Sequence, residues 1–82
     1  MMIEVLGIFN TSIGFTTILM FPENVFPKMN MQLRKGKHLY YVSGIAFNQP
    51  LSPEFSGKNN YSCLLRSDGI IDLNKGDILQ IL

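Results

Sequence analysis

The sequence predicts an all-β protein that folds as a single domain, a small closed six-stranded β barrel covering residues 1–82. Alternating apolar and polar side chains, the pattern of strands, run through most of the chain, whereas helical periodicity is hard to find. Two copies of one turn, Leu33-Arg34-Lys35-Gly36 and Leu73-Asn74-Lys75-Gly76, each come before a strand. The composition, 46% hydrophobic and 16% charged, supplies apolar side chains for one core, and 82 residues leave no room for a second domain.

Six segments are typical of strands because they alternate in polarity or are rich in β-branched and aromatic residues. They are residues 3–9, 15–21, 29–34, 38–47, 61–66 and 77–82. The first two are predicted to form a hairpin, since a polar, glycine-containing stretch joins them. In the fourth, Gly44 indicates a bulge or a sharp bend of the kind that barrels need. The Asp68-Gly69 pair is predicted to allow a positive φ in a tight connection.

The segments between these strands are predicted to be turns and loops. In each copy of the repeated turn, the leucine is expected to anchor in the core and the glycine to adopt a positive φ. Pro22 and Pro27 bracket a loop with an apolar tip at Val25-Phe26, because proline cannot donate to a sheet ladder. Residues 48–60 lack any pattern and form the longest predicted loop.

The closing part of the chain carries the most specific of these features: Tyr61-Ser62-Cys63-Leu64-Leu65-Arg66, followed by the second turn within residues 71–79. With the hairpin around Gly14 and Thr16 and the first turn within residues 33–39, this order resembles the second domain of translational GTPases such as elongation factor Tu. The resemblance implies a closed six-stranded β barrel that docks proteins and the ends of transfer RNA. It follows the strand order over nearly the whole chain, but it is specific only in the two turns and the Leu-Leu-Arg strand.

Two features depart from that family. The first hairpin has Ile13-Gly14-Phe15-Thr16 where the family usually has Gly-x-Gly-Thr. No Gly-x-x-x-x-Gly-Lys-Ser/Thr phosphate loop occurs in the 82 residues. The nucleotide chemistry of the family is therefore not carried over to this chain.

Side chains suited to catalysis are scarce in this sequence. Nucleophilic catalysis needs a cysteine or serine next to a base, but the chain has one histidine, His38. Its single cysteine, Cys63, lies in an apolar strand, which is typical of a buried and inert thiol. No cluster of His, Cys, Asp and Glu has metal-ligand spacing, and neither glycine turn precedes a helix that could hold a phosphate. We expect no enzymatic activity, no metal and no cofactor.

The first residues and the single cysteine bear on localisation. Glu4 interrupts the apolar N-terminal stretch, and no basic residue precedes it, unlike in a signal peptide. The apolar run over residues 18–21 is far shorter than the roughly 20 residues of a membrane helix. A lone cysteine forms no internal disulfide, which fits a reducing compartment. These observations predict a cytoplasmic protein with no membrane partner.

Basic residues are concentrated in the middle of the chain. Residues 24–66 contain six basic side chains against one acid, a formal charge of +5 in a chain whose net charge is +1. Basic residues interleaved with aromatic ones suit a nucleic acid, because phosphates take the charge and bases stack on rings. An RNA or transfer-RNA hypothesis centred on the basic segment 28–41 uses Lys35, Lys37, His38, Tyr40 and Arg66. In the alternative interpretation, Tyr41 belongs to the core, Tyr40 is half-buried on the barrel surface, and the lysines keep an edge strand from pairing.

Apolar side chains in the predicted loops favour a protein partner. Exposed apolar residues in adjacent loops form interface patches, and the candidates here are Val25, Phe26, Leu51 and Phe55. The alternative is that these residues form a lid over an open barrel end. Our main hypothesis is a non-enzymatic module that docks a protein partner, as an adaptor or small inhibitor, for instance an immunity-type protein that blocks a toxin. The basic middle segment counts against an inhibitor of nucleases, since such inhibitors tend to be acidic, and it favours the RNA alternative.

Overall fold

The chain folds as the predicted all-β closed barrel, in a computed structural model that describes residues 1–11, 14–46 and 59–82. Its strands are β1 (Met2–Thr11), β2 (Gly14–Met20), β3 (Gln32–Lys35), β4 (His38–Ala46), β5 (Asn60–Arg66) and β6 (Ile78–Ile81). They close in the order β1-β2-β5-β4-β3-β6, and every neighbouring pair is antiparallel. The described residues form no helix, and therefore none that is long and apolar enough to span a membrane.

Antiparallel pairing gives the barrel two distinct ends. Strands β1, β3 and β5 run toward the end that carries the β3–β4 turn and the connection 67–77, which we call the turn end. Strands β2, β4 and β6 run toward the opposite end, the loop end, which carries the connection 21–31. The apolar tip Val25-Phe26 and the basic turn at 35–38 therefore lie at opposite ends of the barrel.

Inward-facing side chains from all six strands fill the barrel. The buried apolar cluster comprises Ile3, Val5, Leu19, Phe21, Leu33, Tyr40, Val42, Cys63, Leu65, Leu73 and Leu79. Burying an aliphatic or phenylalanine side chain fully stabilises a fold by roughly 1.5–3 kcal/mol, so this cluster is the main source of stability. The buried hydroxyl of Thr17 donates to the carbonyl of Cys63 at 3.2 Å, so no hydrogen-bonding potential is lost there.

Both copies of the repeated turn have the predicted conformation. Gly36 and Gly76 have φ values of 59° and 94°, in the left-handed region that favours glycine, and Leu33 and Leu73 are buried. The second turn is hydrogen-bonded to β1, because the N–H of Gly76 donates to the carbonyl of Val5 at 2.7 Å. The N–H of Val5 in turn donates to the carbonyl of Asp77 at 2.9 Å. These two hydrogen bonds hold the second turn against β1 at the turn end.

The predicted irregularity at Gly44 is a β-bulge. The register between β4 and β5 shifts between Val42 and Gly44, so that Gly44 lies opposite Leu64. A Cβ atom on Gly44 would lie 2.9 Å from Cδ1 of Leu64. The lack of a side chain at Gly44 therefore provides the space that Leu64 occupies.

Two local predictions were wrong at the connections. The third strand begins at Gln32 rather than at residue 29, because Asn30 adopts a φ of 64° and turns the chain before the strand starts. Gly69 does not have the positive φ predicted for the Asp68-Gly69 pair. Instead, the Ser67 hydroxyl oxygen accepts from the N–H of Gly69 at 3.2 Å, which bends the chain without a left-handed residue.

The interpretation of β4 with Tyr41 in the core and Tyr40 on the surface is also wrong. Tyr40 is fully buried, whereas Tyr41 is half-buried outside the core cluster. The cause is the register with β3, which places Tyr40 directly opposite Leu33. Directly opposed residues of an antiparallel pair share a face, and Leu33 faces the core, so Tyr40 faces it too.

Candidate functional site

The apolar tip predicted between the two prolines lies at the loop end, and its two residues differ in burial. Val25 is half-buried and packs against the core cluster. Phe26 remains 56% exposed. Its ring packs edge-on against Tyr61 with the centroids 6.3 Å apart, and Tyr61 packs in the same way against buried Phe21 at 5.8 Å. Phe26 is thus an exposed aromatic side chain on a packed aromatic base.

Two further apolar side chains are exposed at the loop end: Met20, at the end of β2, and Met29, in the connection 21–31. Met29 lines a groove of about 400 Å³ that is formed by residues 28–32 together with Ile81 and Leu82. The connection that carries Met29 is held in place by backbone hydrogen bonds, from Asn30 N–H to the carbonyl of Val42 at 2.8 Å and from Val42 N–H to that of Met31 at 3.0 Å. These bonds fix the connection against β4, and the groove beside it has both apolar and polar lining residues.

Lys35, the first of the basic residues assigned to RNA, is paired with acids at the turn end. Its Nζ lies 2.7 Å from Oδ2 of Asp77 and donates to the backbone carbonyl of Asp72 at 2.8 Å. The Asp72 carboxylate is 4.0 Å away. The hydrogen bond with Asp77 raises the pKa of Lys35 and lowers the pKa of Asp77. Lys35 therefore joins the two repeated turns, and its charge is largely neutralised within the protein.

Tyr40, the tyrosine among the residues of the RNA hypothesis, is 0% exposed. Its hydroxyl oxygen accepts from the backbone N–H of Asp72 at 3.1 Å and so holds the connection 67–77 over the barrel mouth. A ring that is enclosed in the barrel cannot stack on a base. The role assigned to Tyr40 is corrected from ligand contact to closure of the turn end.

Three of the basic-segment candidates remain at the surface of the turn end. Lys37 is exposed, and His38 is half-buried with its ring centroid 6.5 Å from that of Tyr40. The guanidinium of exposed Arg66 lies over the ring of Tyr41, 5.8 Å from its centroid. These side chains form a modest cationic surface. The remaining predicted residue, Phe55, lies outside the described residues, as does Leu51.

Cysteine nucleophiles and metal ligands are two kinds of catalytic group that can be looked for among the described residues. Cys63 is buried, and this burial raises the pKa of its thiol to about 12, so the nucleophilic thiolate is scarce near neutral pH. In the described ranges, no three His, Cys, Asp or Glu side chains lie close enough together to hold a metal ion.

A second groove involves residues that the sequence analysis did not select. It has a volume of about 520 Å³ and is lined by Met2, Arg34, Gly36, Ile78 and Gln80, on the outer face of β1, β6 and β3. These residues come together only through the strand register, which places Met2 opposite Gln80 and Gln80 opposite Arg34. Arg34 lies within the repeated turn motif, which is the one sequence signal that could have pointed to it.

No family model, no curated protein and no solved structure matches this chain.

Proposed function

We propose that this protein is a non-enzymatic binding module that docks a protein partner at its loop end. The observation that carries the proposal is the exposed ring of Phe26, supported from below by Tyr61 and Phe21. Interfaces derive most of their binding energy from a few large side chains that fill partner pockets, and aromatic anchors are prominent among them. A ring already held in place loses little conformational entropy on binding.

The surroundings of Phe26 fit an interface of this kind. Exposed Met20 and Met29 add flexible, polarisable apolar surface that adapts to a partner. The turn end carries charged side chains that pair with one another, as Lys35 does with Asp77, and it also carries the exposed Ile70. What favours docking through the loop end is the aromatic anchor Phe26 on its packed base, together with Met20 and Met29. An adaptor or a small inhibitor, such as an immunity-type protein, would use such a surface without performing chemistry.

The test compares binding by variants at the two ends. A partner cross-linked to the protein in its native host is identified, purified and titrated by calorimetry against wild-type protein and the Phe26→Ala variant. We expect this variant to lose at least about 2 kcal/mol of binding free energy, because it removes the anchor. Lys37→Ala, an exposed substitution at the turn end, is the matched control and should bind like wild type. Equal binding by Phe26→Ala and wild type would contradict the proposal.

RNA binding is the second candidate function, and the contact of the Arg66 guanidinium with the Tyr41 ring, at the same end of the barrel as exposed Lys37, is the observation that favours it. Phosphate contacts weaken steeply with salt, so transfer RNA should bind at low salt and dissociate as salt rises. The variant Lys37→Gln combined with Arg66→Gln should reduce both the affinity and its salt dependence. Absence of binding at low salt would eliminate this candidate, whereas Phe26→Ala should not affect it.

A further inference from the structure

The groove on the outer face of β1, β6 and β3 combines apolar walls with one cation. In the strand register, Glu4 lies opposite Ile78, and Met2, Gln80 and Arg34 form the next row across the three strands. Met2 and Ile78 are 65% and 50% exposed. Gly36 also lines the groove, and a Cβ atom placed on it would meet no atom within 4 Å. The absence of a side chain at Gly36 therefore leaves the groove open beside Ile78.

Arg34 is oriented in this groove without being neutralised. Its Nη2 donates to Oε1 of Gln80 at 2.8 Å, and Gln80 is a neutral partner. Within the described part of the chain, Arg34 has no carboxylate within salt-bridge distance, whereas its sequence neighbour Lys35 pairs with Asp77 at 2.7 Å. A guanidinium has five donors, so this single bond leaves further N–H groups for a ligand.

The geometry points to this groove as a docking site for an extended protein segment that carries a carboxylate beside an apolar side chain. A carboxylate is the ligand group that matches a planar guanidinium fork. Met2 and Ile78 provide apolar contact beside it, and the volume of about 520 Å³ accommodates a few side chains. Glu4 lies beside Ile78, one row from Arg34, so repulsion directs the carboxylate of the ligand toward the Arg34 side of the groove.

The lining of the groove favours a protein segment over nucleic acid. Among the described residues that line it, none is aromatic and offers a ring on which a base could stack. Arg34 is the one cation among these described residues, whereas a nucleic-acid strand presents a phosphate at every nucleotide. This site is separate from the Phe26 surface, and its occupation does not depend on the proposed function of the loop end.

Two blocked peptides that differ in one charge test the proposal. The first is N-acetylated, C-amidated Ser-Leu-Asp-Leu-Ser, and the second has Asn in place of Asp. Each is titrated into isotope-labelled protein at low salt, and amide chemical shifts are followed by NMR. We expect saturable shifts at Arg34, Gly36, Ile78 and Gln80 with the Asp peptide, and at least about tenfold weaker binding of the Asn peptide, because it lacks the charge-assisted hydrogen bonds.

Two pairs of variants make the test specific. Arg34→Gln should remove the preference for Asp over Asn, whereas Lys37→Gln, the same loss of charge in the same turn, should retain it. Gly36→Asn should weaken both peptides because its side chain enters the groove, whereas Gly76→Asn, in the twin turn, should not. Asparagine is the replacement because it tolerates a left-handed φ better than other side chains, and Asn24 and Asn30 adopt φ values of 66° and 64°, close to the 59° of Gly36.

Several outcomes would overturn the proposal. Equal affinity for the Asp and Asn peptides would do so, as would an equal effect of Arg34→Gln and Lys37→Gln on the preference for Asp. Chemical-shift changes confined to residues around Phe26, or no saturable changes with the Asp peptide, would also do so. Shifts of the groove amides by transfer RNA but not by the Asp peptide would assign the groove to nucleic acid instead. Phe26→Ala should leave peptide binding unchanged, so failure here is distinguishable from failure of the proposal for the loop end.

Discussion

Cys63 illustrates how position within the barrel controls the reactivity of a single residue. It faces the core from the middle of β5, opposite Thr17 of β2, and its side chain is fully buried. Loss of solvation disfavours the thiolate, which raises the pKa of the thiol to about 12. The sequence analysis predicted a buried and inert thiol at this position; the burial is confirmed, and the raised pKa supports the inertness.

We therefore expect Cys63 to be unreactive in the folded protein. At about pH 8, Ellman's reagent should label native protein only at the rate of its unfolding, whereas protein in strong denaturant should react at once with one equivalent. Absorbance of the released thiolate measures both rates, and Cys63→Ala provides the blank. Rapid stoichiometric labelling of native protein would show that the thiol is accessible and would contradict its burial.

Gly44 is a second residue whose role depends on a close contact. Because a Cβ atom at this position would approach Cδ1 of Leu64 to 2.9 Å, we expect Gly44→Ala to destabilise the protein by about 1–3 kcal/mol through overpacking. Urea unfolding of four proteins, wild type, Gly44→Ala, Leu64→Ala and the double variant, measures the coupling between the two positions. The alanine at position 44 should cost less in the Leu64→Ala background. Additive effects of the two substitutions would contradict the steric explanation.

At the residue scale, the sequence predicted what depends on local chemistry. Three such predictions are confirmed: the positive φ of Gly36 before a strand, the bulge at Gly44 inside a strand, and the burial of Cys63 in an apolar run. The orientation of Tyr40 was not predictable in this way, because both faces of β4 carry aromatic and aliphatic side chains. Its direction follows from pairing with Leu33 on another strand.

At the scale of elements, the two repeated turns act together as a clasp, defined here as Lys35 of the first turn with Asp72 and Asp77 beside the second. Asp77 also accepts from the N–H of Asn74 at 2.7 Å, so one carboxylate both shapes its own turn and binds the other. The shared leucine, lysine and glycine of the repeat predicted two similar turns. Their contact was not predicted, because it requires residues that lie 42 positions apart in the chain to meet.

The clasp makes part of the stability depend on acid pH. The pKa of Asp77 is lower in the folded protein than its ordinary value of 3.8, so its contribution is present above that value and is lost as pH falls through the folded pKa. We expect Asp77→Asn to lower the urea midpoint slightly at neutral pH and to flatten its fall below about pH 4. The exposed acid Asp68 is the control, since Asp68→Asn should leave the acid dependence unchanged. Identical acid profiles for Asp77→Asn and wild type would contradict the clasp.

Strand positions and the β1–β2 hairpin were predictable from the sequence, but the neighbours of strands that are far apart in the chain were not. Alternation, or a run rich in β-branched and aromatic residues, located all six strands, and the start of the third was wrong by a few residues because Asn30 turns the chain before Gln32. The pairing of β3 with β6 joins segments that are far apart in sequence and have no shared pattern. Because the groove around Arg34 and Gln80 depends on that pairing, no local pattern in the chain pointed to it directly.

At the scale of the whole molecule, the barrel is closed unevenly. β1 pairs with β2 at seven positions, and β2 pairs with β5 at six. In contrast, β6 pairs with β1 at only three positions and with β3 at only two. The two β3–β6 pairs are Leu33 with Ile81 and Arg34 with Gln80. A strand pair with few paired positions, which we call a short seam, has fewer hydrogen bonds to break and fewer cross-strand contacts to lose. The β3–β6 seam is therefore where we expect the barrel to open first.

Hydrogen exchange of backbone amides tests this expectation. Under native conditions, amides that bond across the β3–β6 seam, such as Leu82 N–H to the carbonyl of Gln32 at 3.0 Å, should be protected at least about tenfold less than those between β2 and β5. Because the peptide groove spans this seam, saturation with the Asp peptide should slow exchange at the seam and leave β2 and β5 unchanged. The Asn peptide at the same concentration is the control. Equal protection of both strand pairs would show that the barrel opens as one unit, and the seam would then not be its weakest part.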